Sequence, residues 1–456
     1  MSLVLLLGSS SFLFSKKLEN RIPNEEKKQK RSLILGQPNF ISSKNSNVLK
    51  RHVENQWALK DISILEAWKK TRGQKNIVVA VVDTGIHLLH PCLKPNLWTN
   101  PKEIPNNQID DDGNGLVDDI HGWNFVDNNN DLQDRHGHGT HIAGLIAATG
   151  STDSNPDCKV IGVAPEVSLM VLKYYDSNND KNNILNTIKS INYAIQQGAH
   201  IINYSGGGPG ANEQEKTLIA KAADKNIIFI SASGNNSTEI GKDTKYYPAS
   251  YELPNIIYVQ SKNAENEIID SSNWVTKDYR KRKIYQTAPG ERVISTLPPK
   301  RYLRGQILKK IWRSLAQIEP LKHDNYGFMT GTSQATAVAT GVAALVKSLY
   351  PSWSMTQVIK QIYKTGFGQG TEKIQAKTQE GKKLNAYESL IMRDQNIDFS
   401  DLPNNSNIIM PATDKTSTLQ NLQNSRGRID IYDPAVEEDN SINALQDVRK
   451  NLTPTK

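Results

Sequence analysis

Between residues 77 and 261 the chain alternates between two hydrophobic periods. Five stretches are almost continuously apolar and rich in β-branched residues: IVVAVVDTG (77–85), VSLMVLKYY (167–175), HIINYSGG (200–207), IIFISASGN (227–235) and NIIYVQS (255–261). Runs of that length without a polar face are what strands covered on both sides require. Between them, THIAGLIAAT (140–149), NILNTIKSINYAIQQG (183–198) and EKTLIAKAADKN (215–226) read as helices. Gly198 and Asn226 stand where helix stops are expected. Strands alternating with helices predict an α/β fold, a doubly wound, mostly parallel sheet with helices on both faces. Sites in such sheets lie beyond the carboxyl ends of the strands, and Asp83, Ser205 and Asn235 fall there.

The flanks break this pattern. Residues 1–15 are largely apolar, too short to span a bilayer as a helix and similar to the core of a secretory signal, although no Lys or Arg precedes the run. Residues 16–51, rich in Lys, Glu, Asn and Ser, read as a polar linker or short pro-segment, 52–391 as the globular domain, and 392–456 as a polar, flexible tail. These readings predict a protein that is secreted or held in the bacterial envelope or periplasm. Mean hydropathy is −0.55, a polar average expected to come from the tails rather than from the domain. The net charge of +8 favours anionic surfaces, but no aromatic-interleaved basic motif points to nucleic acid, so none is expected as a partner. The segment 299–323 carries Ile307, Ile311, Leu315 and Ile318 at helical spacing, with Lys309, Lys310 and Arg313 opposite. It reads as a surface helix packed on the body, or as a cap or anionic-surface contact.

The chemistry begins with DRHGHGTHIAG (134–144), which holds three histidines within six positions. Their spacing alone suits zinc, a catalytic base or simple packing. Other residues decide between them. Asp83 ends an apolar strand, Asn235 ends another, His138 opens a helix, and Ser333 follows a glycine turn at the head of a small-residue helix, GTSQATAVATGVAAL. A serine hydroxyl is a weak nucleophile that needs a base. Imidazole serves near neutral pH, and a carboxylate fixes its tautomer. Backbone amides at a helix start, with the Asn235 amide, suit an oxyanion.

The order Asp, His, Ser in VVDTG, HGTHIAG and GTSQAT resembles the subtilisin-like serine proteases. The resemblance runs from about residue 52 to 391 and includes GVAP (162–165), INYSGGG (202–208), YYPAS (246–250) and TAPG (287–290). It implies a serine endopeptidase acting on proteins or peptides through a seryl acyl-enzyme, most simply as a monomer, with no cofactor needed for the chemistry. Asp83, His138 and Ser333 match the triad, Asn235 the oxyanion donor, and Ser205, Gly206 and Gly207 the strand that pairs with substrate beside the specificity pocket. His141 is then expected to pack behind His138, and His136 to face solvent or the cleft. Alternatives are an inactive relative that binds peptides and a calcium-dependent adhesion module.

This chain departs from the family pattern in places. Gln334 and Ala337 stand where the family often has Met and Pro, and the segment before the domain is shorter than the usual pro-domain. Cys92 replaces an aspartate common in the family, and Cys158 lies just before GVAP. In calcium-binding relatives the matching positions share one site, which implies a Cys92–Cys158 disulfide in place of that clamp. Separately, IDDDGNGLVDDIHG (109–122) matches half of a calcium loop, with Asp110, Asp112, Asn114, Leu116 and Asp118 as candidate ligands. It reads either as a calcium site or as a solvated acidic turn.

Overall fold

The computed structural model describes residues 50–152, 155–176, 182–275, 285–303, 325–365 and 383–391. The expected signal segment and tail, and nearly all of the 299–323 helix, lie outside them. Seven strands form one parallel sheet: β1 (Val78–Asp83), β2 (Gly122–Asn124), β3 (Ser168–Lys173), β4 (Ile201–Tyr204), β5 (Ile228–Ala232), β7 (Ile256–Lys262) and β9 (Tyr285–Pro289), in the order β2-β3-β1-β4-β5-β7-β9. Each of the five apolar runs coincides with one of these strands, β7 extending one residue past its run. The short pair β6 (Glu239–Ile240) and β8 (Trp274–Val275) and the hairpin β10 (Val293–Thr296) with β11 (Tyr326–Met329) stand apart.

All six residues of β1 are buried, because both faces of the sheet are covered. Val79 and Val81 enter one core with α1 (Trp57–Asp61), α2 (Ile64–Trp68), α3 (His138–Ala147), α6 (Thr332–Leu349), α7 (Met355–Thr365) and α8 (Ala386–Leu390). Val78, Ala80 and Val82 enter a second core with α4 (Asn183–Gln196) and α5 (Glu213–Asp224). Side chains one residue apart thus point to opposite faces, as a strand requires. The helix α6 is buried from Thr332 to Ser348. Its Ala, Gly, Thr and Ser residues suit that position, since small side chains let neighbouring elements approach from every side.

β1 pairs with β3 on one side and β4 on the other, in register Asp83 to Lys173 and Val82 to Tyr204. The chain therefore reverses its direction of travel across the sheet at β1. Loops leaving the carboxyl ends of strands at such a point diverge and open a crevice. The ends of β1, β4 and β5 deliver Asp83, Ser205 and Asn235 to that crevice.

Candidate active site

Asp83 closes β1 and His138 opens α3. The Asp83 carboxylate, 1% exposed, accepts a hydrogen bond from His138 Nδ1 through Oδ1 at 2.7 Å. A carboxylate oxygen only accepts, so a proton sits on Nδ1, and in the neutral ring Nε2 is then the acceptor nitrogen. That Nε2 is buried and has no hydrogen-bond partner among the described residues. The close approach depends on Gly139, where a Cβ would fall 2.1 Å from the Gly85 carbonyl oxygen.

Asp134 braces the same corner. Its Oδ1 accepts from the amides of His136 and Gly137 at 2.9 and 2.8 Å, and from Thr84 Oγ1 at 2.9 Å. Its Oδ2 accepts from the amide and hydroxyl of Thr140 at 2.9 and 2.7 Å. Thr84 Oγ1 in turn accepts from the Gly139 amide at 2.8 Å. One carboxylate thus caps α3 and ties it to the residue after Asp83. Sequence reading missed Asp134; its signal was an acidic residue just ahead of a helix start.

Ser333 is the second residue of α6 and is 2% exposed. Its Oγ donates to the Ser205 carbonyl at 2.9 Å, and Ser205 Oγ donates to the Ser333 carbonyl at 3.3 Å. The Ser205 hydroxyl also accepts from Asn203 Nδ2 at 3.1 Å, and Asn203 Oδ1 accepts from Thr340 Oγ1 at 2.8 Å. The segment leaving β4 is therefore laced to α6 beside the serine. In this conformation the Ser333 proton goes to Ser205 rather than to His138; such contacts commonly tighten only when substrate is bound. Asn235 Oδ1 accepts from the Thr332 amide at 2.9 Å, which turns the Asn235 side chain toward the start of α6. The Ser333 N–H lies in the first helical turn, where no intrahelical acceptor precedes it.

The other two histidines take separate places. His141 is fully buried, with Nε2 donating to the carbonyls of Val293 and Gly327, both at 3.2 Å. Burial, and secondarily His138, pushes its pKa down to about 3. His136 is also buried, edge-on to both His138 and Tyr175 at 6.3 and 6.0 Å between centroids, rather than facing solvent. Burial and then His138 bring its pKa down to about 4. With His138 committed to Asp83 and His141 to backbone carbonyls, the three rings do not converge on a metal.

Carboxylates converge elsewhere. Oxygens of Glu103, Asp112 and Asp119 lie within 4.8 Å of one another. Glu103 Oε1 accepts from the amides of Asp111 and Asp112 at 2.9 and 3.1 Å, while Oε2 is buried without a partner among the described residues. Burial raises the pKa of both Glu103 and Asp119, with carboxylate neighbours adding to it. Hard oxygen donors and an orphaned buried carboxylate oxygen fit a divalent cation such as calcium. Of the five positions read from the loop motif, only Asp112 belongs to this trio. Asp110 accepts from the amides of Asn114 and Gly115, and Asp118 from those of Asn107 and Gln108. The Asn114 side chain donates to Asp119 Oδ2 at 2.9 Å, and Leu116 packs against the second core. Asp110 and Asp118 therefore brace the loop backbone.

Cys92 and Cys158 are joined by a disulfide with Cα atoms 5.1 Å apart. The bond links the loop after β1 to the segment before β3 and lies beside Tyr326, whose hydroxyl is 3.3 Å from Cys92 Sγ and donates to the Asp157 carbonyl at 2.9 Å.

Residues 74–387 match the model of the subtilase family, Peptidase S8. The major intracellular serine protease of Bacillus subtilis is 33% identical over 64% of this chain and 74% of its own length. Subtilisin E of the same organism is 30% identical over 67% of this chain and 66% of its own length. Subtilisin-like protease 1 of Plasmodium falciparum is 28% identical over 67% of this chain, an alignment that spans 42% of the relative. Among solved structures, a lanthipeptide protease superposes with a TM-score of 0.54 at 23% identity, covering 75% of this chain and 94% of its own, which shows the shared fold. The family match and the Bacillus relative agree with the sequence motifs: this chain belongs to the subtilase family of serine endopeptidases.

Proposed function

We propose that this endopeptidase uses Ser333 as nucleophile, His138 as general base, Asp83 as the group that orients and stabilises the imidazolium, and Asn235 with the Ser333 amide as oxyanion donors. The observation that carries this reading is the buried 2.7 Å bond from His138 Nδ1 to Asp83, which makes Nε2 the acceptor of the neutral ring and leaves it without a partner among the described residues. A peptide would lie along Ser205, Gly206 and Gly207 as an added strand. Ser333 Oγ leaves the Ser205 carbonyl, gives its proton to His138 Nε2 and attacks the scissile carbonyl carbon. The tetrahedral oxyanion is held by the amide donors. On collapse, the C–N bond breaks and His138 returns the proton to the leaving amine. Water, deprotonated by His138, then releases the acid from Ser333.

Two finer readings accompany it. Glu103, Asp112 and Asp119 would hold a calcium ion that braces the acidic loop and takes no part in bond cleavage. The protein works outside the reducing cytoplasm, a placement supported by its disulfide and its signal-like start.

The test is fluorophosphonate labelling read by intact mass. One adduct on Ser333, absent from Ser333→Ala, is expected. Asp83→Asn should lower kcat by about 10⁴-fold while the fold is retained. Well-folded protein that neither labels nor cleaves would point instead to a peptide-binding relative.

A further inference from the structure

Hydrolysis at Ser333 requires a seat for the side chain that precedes the cleaved bond. Strands β4 and β5 pair with Tyr204 opposite Ser231. Gly207 and Gly234 each lie three residues beyond this last pair, where the two chain segments have left the sheet. Gly207 belongs to the segment that Ser333 grips through Ser205. Gly234 directly precedes Asn235, and its amide donates to Thr332 Oγ1 at 3.2 Å. The gap between these chain ends therefore opens beside the nucleophile, and neither wall carries a side chain.

The gap is spanned by one ring. A Cβ on Gly207 would lie 2.4 Å from Tyr246 Cε1, and a Cβ on Gly234 would lie 2.6 Å from Tyr246 Cε2. Cε1 and Cε2 are opposite edges of the same phenol. Tyr246 is 5% exposed and packs among Ile240, Ala249, Tyr258, Val275 and Tyr285. Its amide donates to Ser250 Oγ at 2.9 Å, and its carbonyl accepts from the Ser250 amide at 2.7 Å. The next residue, Tyr247, exchanges two backbone bonds with Gly208, at 2.7 and 2.9 Å. The ring is thus anchored both in its own cluster and on the wall it touches. Opening the gap to a large substrate side chain means displacing a packed aromatic and the strand pairing next to it.

We propose that Tyr246 is a specificity-determining residue that closes this pocket, so that the enzyme cleaves after Gly, Ala or Ser and rejects Phe, Tyr, Leu and Lys at that position. The inference rests on Ser333 being the nucleophile. One methylene too many in a filled pocket costs roughly 10–200-fold, so kcat/KM after Ala should exceed that after Phe by about a hundredfold.

The test uses a set of internally quenched peptides that differ only in the residue before the cleaved bond, with each sample normalised by fluorophosphonate titration. Wild type should prefer the small residues. Tyr246→Phe should keep that preference, because ring edges rather than the hydroxyl fill the gap. Tyr246→Gly should cut after Phe or Leu at least as fast as after Ala. Equal cleavage after Phe and Ala by titrated wild-type enzyme overturns the proposal, as does an unchanged preference in labelled Tyr246→Gly. If Tyr246→Gly does not fold, the wild-type and Tyr246→Phe profiles decide alone. Absence of labelling in folded wild type overturns the assignment of Ser333, a result distinct from labelled enzyme with the wrong preference.

Discussion

At the scale of single residues, three histidines of one loop and helix carry different loads because their surroundings differ. The His138 ring bonds a carboxylate, whereas the His141 ring bonds backbone carbonyls and burial of His136 outweighs the pull of Asp134 and Asp83. Burial holds His141 near a pKa of 3 and His136 near 4, and His90 also falls to about 4, against an ordinary value of 6.5. These groups are neutral when folded, but the unfolded chain protonates them below about pH 6.5. More protons bind to the unfolded state in that range, so their contribution to stability is full above pH 6.5 and is lost as pH falls toward 4 and 3. Calorimetry should therefore show a Tm that holds near neutrality and declines through this window. His141→Gln should give a shallower decline, and an identical slope would remove His141 as a source of it. The matched triad positions were legible because each sits at a signature of its own element: a strand end, a helix start, a glycine turn. Asp134 and Tyr246 were not. Asp134 acts on Thr84, 50 positions away, and Tyr246 acts by filling space between two glycines that only the folded chain brings to opposite edges of its ring.

At the scale of elements, all five expected strands and three expected helices form, because their apolar periods are long and unbroken. The small strands β6, β8 and β10 were not legible; two to four residues carry too little periodicity to read. The acidic loop shows a different limit. Its motif is visible in the sequence, yet the carboxylates that converge are chosen by the fold. Asp119 accepts from Tyr193 on α4 at 2.7 Å, and Asp112 accepts from Gln197 just past that helix at 3.0 Å. A cation there would stitch the loop to α4 and relieve crowding among buried carboxylates. Calcium at about 100 times its Kd should stabilise the protein by about 2.7 kcal/mol. Glu103→Gln should abolish most of that gain, and Asp110→Asn should retain most of it. The reverse ranking in a thermal shift titration would restore the motif-based ligand set.

At the scale of the molecule, the disulfide closes a loop between residues 66 apart in sequence, with β2, α3 and His138 inside it. By the chain-entropy model such a closure contributes about 4 kcal/mol. Replacing both Cys92 and Cys158 by Ala should lower the unfolding free energy measured in denaturant by that order, with kcat/KM at low temperature little changed. A loss below about 1 kcal/mol would mean that the packing around Tyr326 already holds these loops together.

The position of α6 in the chain has one more consequence. Every strand of the large sheet precedes it in sequence, yet α6 fills the core beneath them and brings Ser333 with it. A ribosome releasing this chain would expose Asp83, His138 and Asn235 well before the serine emerges and the sheet can close on its central helix. With Ser333 as the proposed nucleophile, peptidase activity would begin only when synthesis has passed the end of α6.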